Sequence, residues 1–273
     1  MEKDLRYPKV LYKYRDWRDG FHKKILSHNE VFFASPSSLN DPFDCKIPIR
    51  FDKANEQNVF EMALRIIKHE YPTFDDEEHR RLAKEVVEKE KWKDPMNIEA
   101  QIEFQRQKID RDFGVCSFSK RRNINLVWTH YGAHHYGFCI GLNITNLIDE
   151  IENRIFSSTG LIIDFYPVNY VKKFPYIDSF GGSNVDNLIT VLTTKAIPWK
   201  YENEFRLILI NGTNQAVRLS NHVIEEVIFG IRMKDDHKEE IIQILKTKNN
   251  KAQLFQAKLA ENSFKILFDK ISY

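Results

Sequence analysis

Glu202 and Glu204 stand two residues apart in W-K-Y-E-N-E-F-R-L-I-L-I, residues 199–210. At the entrance to a strand that spacing turns both carboxylates to one side. Two carboxylates so placed can divide labour. One orients a nucleophile as a base, and the other holds a sugar hydroxyl or stabilises a positive transition state. Arg206 continues the alternation and is placed to neutralise one of them; the competing reading is a salt-bridged strand face. Arg15 closes L-Y-K-Y-R, residues 11–15, at the end of a predicted strand. A guanidinium there meets a phosphate or carboxylate through two parallel hydrogen bonds, or pairs with a surface acid.

The stretch 116–141 supplies a third group. Ser117 and Ser119 alternate on a predicted strand and face one side. Trp128, Tyr131 and His135 share a helical face by spacing, and aromatics with a histidine can stack a flat ring such as nicotinamide or adenine. His130 and His134 stand four apart, but the residues between them are Tyr-Gly-Ala and lack the glutamate of a zinc helix, so no metal is expected. In S-P-S-S-L-N-D-P-F-D, residues 35–44, Asn40 and Asp41 precede Pro42 and suit an Asx-turn that shapes a loop beside a site.

Elements to carry these groups are legible around them. Strands are predicted at 10–14, 30–34, 114–118, 137–142, 161–170, 204–210, 215–219, 223–229, 252–258 and 264–268. Helices are predicted at 21–26, 123–131, 144–153, 184–194 and 234–246. Residues 53–112 differ in character: highly charged, poor in glycine, with apolar residues at helical spacing and punctuated by Pro72 and Pro95. They read as about three helices forming an insertion or subdomain. Strict βαβ alternation is absent, so the expectation is a single α+β domain over 1–273, a mixed or mainly antiparallel sheet with a charged helical insertion.

With 41 basic against 39 acidic residues the formal charge is only +2. That argues against sequence-wide capture of nucleic acid and leaves a local basic patch open. Cys45, Cys116 and Cys139 are too widely spaced for a structural zinc site and read as free thiols in a reducing compartment. The charged N-terminus lacks an apolar signal core, and no apolar run reaches the ~20 residues of a membrane span. The expected location is therefore cytoplasmic.

Taken together, the blocks LYKYR (11–15), ASPSSLNDPFD (34–44), the WTHYG-containing centre (116–142) and WKYENEFRLI (199–208) resemble a bacterial family known only as a domain of unknown function. More distantly, an arginine ending the first strand, Ser-x-Ser on an interior strand and Glu-x-Glu opening a late strand resemble the ordered motifs of ADP-ribosyltransferases. That resemblance implies NAD as substrate, with Arg15 on its phosphates and Ser117 and Ser119 shaping the nicotinamide site. Glu202 and Glu204 would be catalytic, Glu204 centrally, with Tyr131 or Trp128 stacking on nicotinamide. It further implies transfer to a protein or nucleic-acid acceptor, as by a toxin or antiviral defence effector. The chain departs from the pattern in having SFS for STS and Asp16 directly after Arg15. Two other functions fit the residues. A metal-dependent nuclease would use Asp41, Asp44, Lys195, Glu202 and Glu204. A non-enzymatic sensor or interaction module would dock a protein partner on the helices of 53–112.

Overall fold

Alternation in the first strand sets the architecture. Leu11 turns into a core of apolar side chains, and Tyr12 and Tyr14 turn to the opposite face. A computed structural model describes residues 7–51, 54–155, 161–180 and 184–273. The N-terminal half comprises β1 (Val10–Arg15), α1 (Gly20–Ser27), β2 (Glu30–Phe33), β3 (Ile49–Arg50), α2 (Glu56–Glu70), α3 (Asp76–Glu88), α4 (Pro95–Asp112) and β4 (Phe113–Ser119). Next come α5 (Asn125–Tyr131), β5 (Phe138–Asn143), α6 (Ile144–Ile155), β6 (Leu161–Pro167), β7 (Asn169–Val171), β8 (Ile177–Asp178), α7 (Asn184–Thr193) and β9 (Thr194–Ala196). The chain finishes with β10 (Glu204–Ile210), β11 (Gln215–Arg218), β12 (Ile224–Phe229), α8 (Asp235–Thr247), β13 (Gln253–Leu259) and β14 (Ile266–Ile271).

The fold is α+β. Eight strands form the main sheet in the order β14-β13-β12-β5-β1-β4-β10-β6. Its pairings are antiparallel except β12 with β13, which run parallel because α8 carries the chain across between them. Leu11, Phe138, Leu142, Leu147, Val227 and Leu245 belong to the large core on one face, contributed by strands and by α6 and α8.

The charged segment forms the expected three helices. Asn55 opens α2 with a capping box, and Asp75 and Asp94 cap α3 and α4 through side-chain oxygens. Pro95 occupies the first turn of α4, where its missing N–H costs nothing. The strand expected over 161–170 is two: β6 ends at Pro167, and β7 pairs with β9 in a separate ribbon. Pro167 has no N–H to continue a ladder, and the Val168 N–H goes instead to the Glu204 carbonyl at 2.9 Å. No helix among the described residues is long and apolar enough to cross a membrane.

The main sheet forks at its centre. β1 pairs with β5 over six residues and β4 with β10 over seven, but β1 and β4 share a single rung, Tyr12 with Ser119. Beyond that rung the edge of β4 is taken by Ala34, which exchanges two backbone bonds of 2.8 and 2.9 Å with Val115. β1 therefore diverges from β4. Lys13 spans the gap, its Nζ donating to the Ser117 carbonyl at 2.7 Å.

Candidate functional site

A cleft of about 210 Å³ opens in the fork. Lys13 and Arg15 come to it from β1, Ser117 and Ser119 from β4, Tyr131 from α5, and Lys195 from β9. Glu202 reaches it from a 3-10 turn over Ile197–Glu202, and Glu204 and Arg206 from β10. The two glutamates converge for a reason other than strand alternation. Asn203 between them adopts a left-handed conformation (φ 46°, ψ 50°), which Asn tolerates and which turns the chain from the 3-10 segment into β10.

The acidic wall is a buried ion network. Arg206, wholly buried, holds Asp44 through two nitrogens at 2.9 and 2.6 Å and Glu204 through Nε at 2.8 Å. Its Nη1 also donates to the Leu192 carbonyl at 2.7 Å. Lys195 reaches Glu202 at 2.6 Å, Glu204 at 3.2 Å and Asp44 at 3.7 Å. Three carboxylates thus face two cations, leaving one net negative charge. The Tyr131 hydroxyl donates to the other oxygen of Glu202 at 2.6 Å and accepts from Asn40 Nδ2 at 3.0 Å. Ser119 Oγ donates to the Glu202 carbonyl at 2.6 Å, and the Tyr170 hydroxyl accepts from the Glu204 N–H at 2.9 Å.

These surroundings separate the two glutamates. Burial drives the Glu204 carboxyl up, but Arg206 and Lys195 outweigh it and hold the group down to about 2. Burial likewise drives Glu202 up, and there Lys195 and Tyr131 do not fully offset it, so it stays above the ordinary glutamate value. Glu204 is thereby held as an anion, and Glu202 is the more readily protonated of the two. The Tyr131 phenol is raised by burial and then by the Glu202 charge, so it remains a donor.

The opposite wall is cationic. Arg15 is half-buried, and its guanidinium donates only to the Tyr14 carbonyl, at 3.1 Å, with no carboxylate partner among the described residues. Lys13 is lowered to about 8, by burial first and by Arg15 second. An unpaired guanidinium beside an ammonium, across a gap from a negative network, is an arrangement for an anion that carries an electrophilic centre.

Of the residues singled out in the sequence, Arg15, Ser117, Ser119, Tyr131, Glu202 and Glu204 line this one cleft. Trp128 and His135 do not. Trp128 is wholly buried edge-on to Tyr14, with its indole N–H on the Arg122 carbonyl at 2.8 Å. His135 stacks on the Trp128 ring, outside the cleft, and bonds Asn125. The shared helical face ends because α5 stops at Tyr131, after which Ala133, His134 and His135 all take positive φ. The same turn takes His134 off the helix that carries His130. Asp41 is absent from the cleft wall, its Oδ1 capping the Phe43 N–H in the expected Asx-turn. Lys13 went unremarked in the sequence, although it stands two residues before Arg15 just as Glu202 stands two before Glu204.

Residues 127–207 match a family model described as Protein of unknown function (DUF2971). The matched segment holds Tyr131, Lys195, Glu202, Glu204 and Arg206 of the acidic wall but leaves out Asp44, Arg15 and the two serines. It spans the WTHYG and YENEFR blocks, while LYKYR and SPSSLNDPFD lie outside it. No curated protein and no solved structure gives a match.

Proposed function

We propose that the chain is an NAD-consuming ADP-ribosyltransferase. The observation that carries this reading is the fork between β1 and β4, whose one prong presents Lys13 and Arg15 and whose other presents Ser117, Glu202 and Glu204. A dinucleotide laid across it sets its pyrophosphate against the cations and its nicotinamide ribose against the carboxylates. The enclosed volume is below the roughly 300–1,000 Å³ of drug-sized sites, so it takes the nicotinamide ribose end and leaves the adenosine outside.

In this reaction the bond from C1′ to nicotinamide breaks, and its electrons leave with the pyridine nitrogen. Positive charge grows on the ribose, facing a wall with one net negative charge that needs no reorganisation. Glu204 supplies fixed charge. Glu202, held by Tyr131 and Lys195, takes the proton of the attacking acceptor. The acidic side chains favour this reading over a metal-dependent nuclease, because Asp44, Glu202 and Glu204 are each already ion-paired with Lys195 or Arg206.

Nicotinamide release from NAD by the purified chain is the test. Arg15→Ala removes a charge-assisted bidentate contact and is expected to raise KM about 10- to 100-fold. Glu202→Gln is expected to lower kcat with KM little changed. Absence of both NAD binding at millimolar concentration and nicotinamide release sinks the proposal.

A further inference from the structure

Beside the cleft lies a surface that the NAD reading leaves unused. Two stretches meet there, V-K-K-F-P-Y at 171–176 and W-K-Y at 199–201, each interleaving lysine with aromatic rings. β7 leads into the first, and the 3-10 turn after β9 carries the second; the parallel pairing of β7 with β9 brings them together. Lys172, Lys173 and Phe174 line a hollow of about 270 Å³ with Phe43 and Lys195. Phe43 is 64% exposed and Phe174 50%. Lys195 joins hollow and cleft, since it lines both and its Nζ lies over the Trp199 ring at 4.8 Å. From Trp199 a run of half-buried rings leads past the exposed His130 to the cleft: Trp199 and Tyr201 each lie within 6.5 Å of His130, and His130 lies 6.3 Å from Tyr131.

The charge here is not paired off, whereas several other surface cations are. Arg81 pairs with Glu78 and Glu85, Lys23 with Glu240, and Lys258 with Asp269. Lys46, Lys172, Lys173 and Lys200 are exposed and make no ion pair with a carboxylate among the described residues. Lys172 and Lys173 thus set unpaired positive charge beside the exposed rings of Phe43 and Phe174. Free lysines attract a polyanion, and accessible rings stack unpaired bases. A duplex hides the base faces, and an acidic peptide has no use for the rings.

We propose that this surface binds single-stranded nucleic acid and hands a nucleobase to the cleft as acceptor. The second half of that statement rests on the NAD reading; the first does not. In the transfer a lone pair on a base nitrogen forms the new bond to C1′ as nicotinamide departs with the electrons of the old one, and the proton displaced from the base goes to Glu202.

The test uses the full chain and no NAD. Fluorescein-labelled 12-nucleotide single strands of DNA and of RNA, a duplex of equal length and a poly-glutamate peptide are titrated by anisotropy. Single strands are expected to bind at least tenfold more tightly than the duplex or the peptide, and the DNA and RNA arms decide which sugar is preferred. Lys172→Ala with Lys173→Ala, at exposed positions, is expected to reduce the slope of log K against log salt by about 1.4, two phosphates at ~0.7 each. Trp199→Ala is expected to weaken binding about 10- to 100-fold, the loss of one base stack. Peptide binding as tight as the single strands, or no single-strand binding at 100 µM protein in 50 mM salt, overturns the proposal. Adding radiolabelled NAD then separates the two claims. Single-strand binding without nicotinamide release retains the surface and discards the transferase. Nicotinamide release with no strand bound does the reverse.

Discussion

Replacing Arg206 by methionine tests whether the acidic wall is held by the charges named above. The guanidinium is wholly buried and contacts both Asp44 and Glu204. Its loss leaves two carboxylates out of water with Lys195 as the cation that still contacts them, a change expected to cost roughly 3–5 kcal/mol. For a chain of this size, at about 2–4 °C per kcal/mol, the melting temperature at pH 7 falls by about 6–20 °C. The pH dependence gives the sharper criterion. Glu204 sits at about 2 in the fold against an ordinary 4.5. Its contribution is therefore complete above pH 4.5 and is lost as pH falls toward 2. A depression of that size corresponds to on the order of 3 kcal/mol. In Arg206→Met the depression is relieved in large part, Lys195 remaining, so the gap between variant and wild type narrows by up to that amount between pH 4.5 and pH 2. Urea unfolding midpoints across that range measure it. Adding Asp44→Leu removes one orphaned carboxylate and is expected to recover part of the loss. A gap that stays constant with pH, or a variant as stable as the wild type, refutes the charge argument.

Lys13 gives a slope of the same sign in an alkaline window: its folded value of about 8 lies below the ordinary 10.5, so the unfolded chain holds a proton that the fold has shed, and stability rises between those values. Relative to Lys13→Met the wild type should gain on the order of 3 kcal/mol over that range, while pyrophosphate binding measured by calorimetry weakens through pH 8; parallel stability curves would contradict this. Gly137→Ala places a Cβ against the Arg15 carbonyl where β1 meets β5. Backbone cannot yield as a side chain does, so the variant should lose about 1–3 kcal/mol and bind NAD more weakly, a result read by melting and titration.

Much of the fold is legible because its periodicities are strong. The helices of 53–112 announce themselves by charge and caps, and the strand of Glu204 by its alternation. What the sequence cannot display is the fork. Whether β1 continues along β4 depends on Ala34 taking the edge at Val115, a pairing across 80 residues with no local signal. The aromatic face at 128–135 misleads for a local reason. The spacing assumes a helix running past Gly132, whereas three consecutive residues in the left-handed region turn the chain and return Trp128 to the core. Arg206 illustrates a different limit. Its alternation with Glu204 is correct, but an arginine on a strand gives no hint that it will be held by a loop 162 residues earlier. The pairing of Lys13 with Arg15 was open to inspection all along, as the mirror image of the two glutamates.

The single rung between the prongs also governs how the chain can be made. One half of the sheet gathers β1 with β5 and β12–β14, the other β4 with β10 and β6, so neither half is a contiguous piece of polypeptide. β1 emerges from the ribosome about 120 residues before the strand that will cover it, a wait of about 6–24 s at ~5–20 residues per second. Through that interval Leu11 and Tyr14 have no partner from β5, and β4 (Phe113–Ser119) in turn waits for β10 (Glu204–Ile210). The fork is complete only once β10 has emerged, so a chain cut short at any point before β10 carries no complete site.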